Sequence, residues 1–366
     1  MPSNKGFSLL VKPASADCNL KCEYCFYLEK SALYPESSVH RMNDETLERL
    51  IQGYMATRQP VYAFGWQGGE PALMSAGFFK RVTALQERYG RPGSRVSNGL
   101  QTNGTLITPE FARHLAEYRV LTGISIDGPE QLHDRYRKRA GGSGSYADVI
   151  RGLEALQSSG VEVNALVLVS RANIDKPEAV YRHLKELGLN YHQYIPCVET
   201  DTTGSLLPYA VTGEEWGRFL TRLFEEWLHG DMYTVSIRNF DAVLQKLVNQ
   251  QTVMCTMGRS CSEYFVVEYN GDVYPCDFFV EPEQLIGNVH SSSWDEMTES
   301  GAYRRFAGRK SRFNSACAGC AYLNLCGGDC PKHRRGTGAS LLCPGIKYFY
   351  KSTLERFEKI ASNLRA

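Results

Sequence analysis

Twelve cysteines, and the way they are grouped, constrain this chain more than any other feature of its sequence. Cys18, Cys22 and Cys25 stand together near the start, Cys197 is alone, and the last eight crowd between Cys255 and Cys343. The opening MPSNKGFSLLVKP has no apolar stretch long enough for a signal peptide, and no later run approaches a transmembrane span. The expectation is therefore a cytoplasmic protein with no membrane partner. Thiols stay reduced in that compartment, so clustered cysteines point to metal ligands before disulfides. Lys and Arg number 41 against 40 Asp and Glu, a net charge of +1. That balance supplies no field to gather nucleic acid, and the Lys332-His333-Arg334-Arg335 run is too short to act as a basic patch.

The 366 residues allow about two domains. Over the first two-thirds, short apolar segments alternate with helical patterns. Strands are predicted at Phe7 to Lys12, Val61 to Trp66, Arg95 to Gln101, Val120 to Ile126, Val161 to Val169 and Tyr191 to Val198. Asn43 reads as a helix N-cap, Thr108-Pro109 as a cap with proline in the first turn, and Gly188 as a helix stop. Thr212 and Glu215 form a capping box ahead of a further helix. Six βα units are two short of a full barrel, which leaves a partial barrel or a doubly wound sheet. After about Gln250 the pattern changes to short strands, turns and cysteine loops. Asn270-Gly271, between YFVVEY and DVYP, is a two-residue hairpin signal in which both turn positions favour positive φ. Tyr348 to Leu364 reads as a C-terminal helix. The division expected is residues 1–240 for the α/β part and 241–366 for the cysteine-rich part.

Cys18-x3-Cys22-x2-Cys25 follows the first strand directly, in a loop. Iron–sulfur clusters take thiolate ligands, and a four-iron cubane normally needs four. Three cysteines leave one iron open, and an open position makes a metal centre reactive. The spacing resembles that of radical S-adenosylmethionine enzymes. The resemblance implies that the open iron binds S-adenosyl-L-methionine and that reductive cleavage yields a 5′-deoxyadenosyl radical. Later strands end in motifs similar to those of the same family: Gln67-Gly68-Gly69-Glu70-Pro71, Gln101-Thr102-Asn103-Gly104 and Ser125-Ile126-Asp127-Gly128, with Arg137 following. Carboxyl ends of successive strands are where α/β folds place ligands. The family's cofactor contacts fall on Tyr24, Gly69, Ser125, Arg137 and Val198.

The last eight cysteines run Cys255-x5-Cys261-x9-Gly271-x4-Cys276, then Cys317-x2-Cys320-x5-Cys326-x3-Cys330-x12-Cys343. Eight thiols make two sets of four, and spacing alone permits two zinc sites as readily as two clusters. The pattern resembles the SPASM extension of radical enzymes that modify peptides and proteins. That resemblance implies one auxiliary cluster on Cys255, Cys261, Cys276 and Cys330 and another on Cys317, Cys320, Cys326 and Cys343, making three 4Fe-4S clusters in all. Cys197 is left over and reads as a small buried hydrophobe.

Over almost the whole chain the resemblance is to anaerobic sulfatase-maturating enzymes, through CNLKCEYCFYLEK, WQGGEPAL, QTNGTLI, GISIDGPEQLHDRYR and VYPCDFFVEP. It implies an α/β fold with a partial (β/α)6 TIM-like barrel, a small SPASM domain with a β-hairpin, and a C-terminal helix. The implied reaction oxidises a Cys or Ser, in a CxPxR-like or SxPxR-like segment of a sulfatase polypeptide, to Cα-formylglycine. Asp277, next to Cys276, matches the family's general base, and flavodoxin or ferredoxin would supply electrons. Two alternatives stay open: a SPASM enzyme installing a thioether or other cross-link in a ribosomally made peptide, and a zinc-binding module without enzymatic activity.

Overall fold

The computed structural model describes residues 6–334 and 338–365. Six parallel strands form where the alternating pattern places them: β1 (Ser8–Lys12), β2 (Tyr62–Trp66), β3 (Val96–Thr102), β4 (Leu121–Ser125), β5 (Val163–Val169) and β6 (Tyr191–Pro196). A two-residue β7 (Ser236–Ile237) pairs with β6 in parallel. The cysteine-rich part adds β8 (Tyr264–Glu268), β9 (Asp272–Tyr274) and β10 (Gly287–Asn288).

Two compact units divide the chain. The first comprises residues up to Ile124, then Lys138–Val163 and Cys261–Ala307. Its strands run in the order β10-β9-β8-β1-β2-β3-β4. The sequence patterning did not anticipate that β8 lies parallel to β1 over five residue pairs, from Ser8 beside Tyr264 to Lys12 beside Glu268. The hairpin thereby extends the parallel sheet, while β9 and β10 close its edge in antiparallel fashion. Phe7, Tyr54, Phe265 and Trp294 pack together behind this edge, with ring centroids 5.2–6.0 Å apart.

The hairpin turn differs from the expected two-residue form. Gly271 N–H donates to the Glu268 carbonyl at 2.9 Å, so Tyr269 and Asn270 are the central turn residues. Only Gly271 of the expected pair takes positive φ, at +89°. This is a type I turn followed by a left-handed glycine, the next commonest hairpin solution.

Caps behave as read. Asn43 accepts from Thr46 N–H, Thr108 from Phe111 N–H, and Thr212 forms the reciprocal capping box with Glu215. Gly188, at φ +72°, follows the Pro177–Glu186 helix. The C-terminal helix begins earlier than expected, spanning Cys343–Arg365. Pro344 falls in its first turn, where proline costs no hydrogen bond.

The second unit comprises Ser125–Arg137, Asn164–Ser260 and the residues from Gly308 onward. Its parallel strands β5, β6 and β7 lie in that order. Phe224, Trp227, Phe240, Phe349 and Phe357 build its aromatic core. The Gly213–Leu228 and Cys343–Arg365 helices meet at bare backbone. A Cβ on Gly345 would overlap the Gly213 carbonyl, and one on Gly217 would overlap the Gly345 carbonyl. Among the described residues no helix is long and apolar enough to cross a membrane.

The loop after β1 is pinned by Asp17, which accepts from His40 N–H at 2.8 Å, contacts His40 Nδ1 at 2.8 Å, and binds Arg41 at 2.6 Å. Burial pushes His40 down, but the hydrogen bond and charge of Asp17 outweigh it and raise its pKa above 6.5. A raised folded-state value stabilises the fold below pH 6.5 and ceases to do so as pH climbs through the folded value. The stability difference between the wild-type protein and His40→Gln, read by urea unfolding, is therefore expected to be larger at pH 5.5 than at pH 9. Gly345→Ala is expected to lower stability by at least about 1–3 kcal/mol through helix displacement, measured as a lower urea midpoint at unchanged slope.

Candidate functional site

In the first unit, the three early cysteines lie in the loop that follows β1. All are free thiols: Cys22 is buried, Cys25 half-buried and Cys18 exposed. Leu20 N–H donates to Cys18 Sγ at 3.3 Å and Asn103 Nδ2 does so at 3.6 Å. Although part of Cys18 is exposed, enclosure of its sulfur pushes the thiol up to about 12, and the charges of Glu70, Cys22 and Cys25 add to it. The three thiols therefore lie within electrostatic reach of one another.

The glycine motif after β2 holds this loop. Gly69 N–H donates to Ser15 O at 2.8 Å and Glu70 N–H to Asp17 O at 2.8 Å. A Cβ at Gly69 would overlap the Asp17 carbonyl, so only glycine allows the approach. Glu70 is fully buried. Its carboxylate accepts from Ala72 N–H at 2.8 Å, the Thr102 hydroxyl at 2.7 Å and Asn103 N–H at 2.6 Å. Glu70 thus ties the end of β2 to the end of β3, and burial raises its pKa. Tyr24 is buried and Gly69 half-buried.

Asp277 sits in a short 3-10 turn directly after Cys276 and is 5% exposed. Its Oδ2 accepts from the Tyr27 hydroxyl and from Gln67 Nε2 at 3.3 Å. Its Oδ1 lies 3.7 Å from Lys12 Nζ and accepts no hydrogen bond among the described residues. Lys12 is completely buried and binds Glu268 at 2.6 Å. Burial pushes the ammonium down, yet Glu268 and Asp277 outweigh it and the pKa is raised. Tyr27 is pushed well above its ordinary value by burial and then by the Asp277 charge. One carboxylate oxygen is thus hydrogen-bonded, and the other lies beside a cation. From the sequence, Gln67 reads only as part of the glycine motif, and Lys12, Tyr27 and Glu268 have no part in a site. The available signals were a lysine ending a buried strand and a glutamine before paired glycines.

Also in the first unit, Cys276 is pushed up to about 12 by burial, with the Cys261 charge contributing, and its sulfur lies 3.3 Å from the Tyr264 hydroxyl. Cys255 and Cys330 belong to the second unit.

In the second unit, Ser125 is half-buried at the end of β4, and Val198 is buried just after β6. Arg137 is mostly enclosed: its Nε donates to Asp127 Oδ2 at 2.9 Å, while Asp127 Oδ1 accepts from Leu168 N–H at 2.9 Å. Burial pushes Cys326 up to about 12, with Asp329 and Cys343 adding charge, and Cys343 is raised by burial and by Cys317 and Cys320. These four thiols therefore share one neighbourhood. Lys310 is 1% exposed and donates to the carbonyls of Cys255 and Thr256. Asp329 accepts from Ser340 at 2.6 Å and contacts His333 Nδ1 at 2.9 Å. Cys197 is a buried thiol of the core, as expected. Among the described residues no three His, Cys, Asp or Glu side chains cluster to hold a single metal ion. Free thiols with no disulfide partner are the donor type that iron–sulfur clusters take.

Comparison with known proteins gives this arrangement a family. A radical SAM superfamily model matches residues 13–184, and an iron–sulfur cluster-binding domain model, SPASM, matches residues 255–321. The serine-type anaerobic sulfatase-maturating enzyme of Bacteroides thetaiotaomicron is 38% identical, covering 98% of this chain and 91% of that protein. The cysteine-type enzyme of Clostridium perfringens is 33% identical, covering 98% of this chain and 99% of that one. A solved structure described as native anSMEcpe with bound AdoMet and Cp18Cys peptide superposes with a TM-score of 0.91 at 32% identity, covering 98% and 99% of the two chains. Streptococcus suis SuiB bound to S-adenosylmethionine, at 15% identity and a TM-score of 0.64, covering 90% of this chain and 73% of its own, shares the fold alone. With a mixed α/β parallel sheet, a three-thiol loop after the first strand and a SPASM segment later in the chain, this chain belongs to the anaerobic sulfatase-maturating enzymes of the radical SAM superfamily.

Proposed function

We propose that this protein oxidises a Cys or Ser side chain, in a CxPxR-like or SxPxR-like segment of a sulfatase polypeptide, to Cα-formylglycine. The reading rests on one observation above the others: the buried Asp277 carboxylate, adjacent to Cys276, keeps one oxygen without a hydrogen-bond donor among the described residues. S-adenosyl-L-methionine and three 4Fe-4S clusters would supply, when bound, the adenosyl radical that removes a hydrogen atom from the substrate Cβ and the acceptor for the electron released.

The remaining work falls to the chain's own residues. Cys18, Cys22 and Cys25 would hold the cluster that binds the cofactor. Cys255, Cys261, Cys276 and Cys330 would hold one auxiliary cluster, and Cys317, Cys320, Cys326 and Cys343 the other. Tyr24, Gly69, Ser125, Arg137 and Val198 would contact the cofactor, with Asp127 orienting the Arg137 guanidinium through its 2.9 Å contact. Asp277 would take the thiol or hydroxyl proton on Oδ1. Tyr27 and Gln67 hold Oδ2 and fix the carboxylate plane, and Lys12 offsets its charge at 3.7 Å. Residues 1–240 would serve radical generation and 241–366 the auxiliary centres. The cytoplasm, where thiols stay reduced, suits such ligands, and a flavodoxin or ferredoxin would deliver the starting electron.

Asp277→Asn is expected to retain iron and still cleave cofactor while losing aldehyde formation by about 10²-fold or more. Undiminished aldehyde yield would remove Asp277 from the chemistry. Tyr27→Phe, which deletes one donor to Oδ2, is expected to slow aldehyde formation by about tenfold at unchanged iron content. Incubating the reduced protein with cofactor and each peptide in turn should give a mass change of about −18 Da from Cys or about −2 Da from Ser. A cross-linked product, or a colourless zinc protein in place of roughly twelve irons, would overturn the assignment.

A further inference from the structure

The segment GISIDGPEQLHDRYR gives Ser125 and Arg137 to the proposed cofactor site, but its only histidine, His133, takes no part there. His133 has no exposed surface. Burying an imidazole costs free energy unless its nitrogens find partners, so the groups it meets are informative.

Three contacts close a ring through His133, all within the second unit. The Asp127 N–H donates to His133 Nδ1 at 3.3 Å, Arg137 Nε donates to Asp127 Oδ2 at 2.9 Å, and the Arg137 N–H returns to the His133 carbonyl at 3.1 Å. The Arg137 and Asp127 side chains are only 11% and 2% exposed. Burial, and then the Arg137 charge, push the His133 pKa down to about 4, so the ring is neutral near pH 7. Because the Asp127 amide can only donate, Nδ1 accepts and the ring proton sits on Nε2. The rest of Asp127 is anchored to β5 and the turn beyond it. Its Oδ1 accepts from Leu168 N–H at 2.9 Å and its carbonyl from Asn173 Nδ2 at 3.0 Å. Asn173 is fully buried and also donates to the Leu168 carbonyl at 3.0 Å. Asp127 therefore meets Arg137 with all four of its polar groups engaged. His133 is the partner that ties the start of this turn to its end.

We propose that His133 is a positioning residue for S-adenosyl-L-methionine: by holding the Asp127 amide it fixes the carboxylate that aims Arg137 at the cofactor. The proposal rests on the reading that Arg137 contacts the cofactor. A guanidinium held in place before binding forms its charge-assisted hydrogen bonds without first being ordered, which favours affinity. A role in packing alone would need only a side chain of similar size, whereas this role needs an acceptor at the Nδ1 position.

The test measures S-adenosyl-L-methionine binding to anaerobically purified holoenzyme by equilibrium dialysis, with iron content and urea midpoint as controls. Asn offers an acceptor near the Nδ1 position, Gln offers one near Nε2, and Leu offers none. His133→Leu and His133→Gln are expected to weaken binding about tenfold, as when a buried amide is left unpaired, while His133→Asn stays within about threefold of wild type. In turnover the loss should appear in KM for the cofactor, with kcat at saturation and KM for the peptide unchanged. In an Arg137→Gln background His133→Leu should add little, because both changes act through one guanidinium. Wild-type affinity in the Gln variant overturns the proposal, as does full additivity of His133→Leu with Arg137→Gln. An equal loss in the Asn, Gln and Leu variants, of affinity or of iron, also overturns it by assigning His133 to packing. If the Leu variant alone loses iron, the Gln and Asn variants decide. Undiminished binding by Arg137→Gln would reject the cofactor contact of Arg137 and the proposal with it. Wild-type holoenzyme that forms no aldehyde would instead reject the formylglycine reading, and the binding comparison would still decide the role of His133.

Discussion

A buried ammonium sets the geometry of the first unit. Lys12 ends β1 with no exposure and lies directly beside Glu268, its register partner at the end of β8. Burying either charge alone costs several kcal/mol, roughly, so the pair tolerates only the register that joins them. A slip of one residue would turn the Lys12 ammonium to the opposite face of the sheet and leave Glu268 alone in the interior. The ion pair therefore specifies how the first strand meets the cysteine-rich segment. Nine residues beyond Glu268 along the chain, Asp277 is delivered to the same ammonium at 3.7 Å. Strand register and position of the proposed base are one constraint seen twice.

Close backbone approach does comparable work around the three-thiol loop. Gly69 presses on the Asp17 carbonyl at a distance no side chain permits, and the neighbouring Glu70 replaces lost solvation with three donors from the ends of β2 and β3. The motif is therefore a clasp on the three-thiol loop. Asp17 is held from its other side by His40 and Arg41, so the residue before Cys18 has both backbone and side chain fixed. A loop built this way presents its thiols from a rigid base, which is what the cluster site proposed there would need.

Local signals were legible in the sequence and long-range polar contacts were not. The six strands and the caps at Asn43, Thr108 and Thr212 each depend on a handful of adjacent residues, so propensity and periodicity suffice to find them. The Asn270-Gly271 signal located the hairpin but misjudged its length, since a left-handed Gly271 serves a three-residue loop as well as a two-residue one. Asp277 was found only because it adjoins Cys276 in a motif. Its partners could not be found that way: Lys12 meets Glu268 across 256 residues, and Tyr27 meets Asp277 across 250. Such pairs follow from β1 lying beside β8, a parallel pairing with no local signature. Arg137 was named as a cofactor contact, but its partner Asp127 emerges only when the turn after β4 folds back.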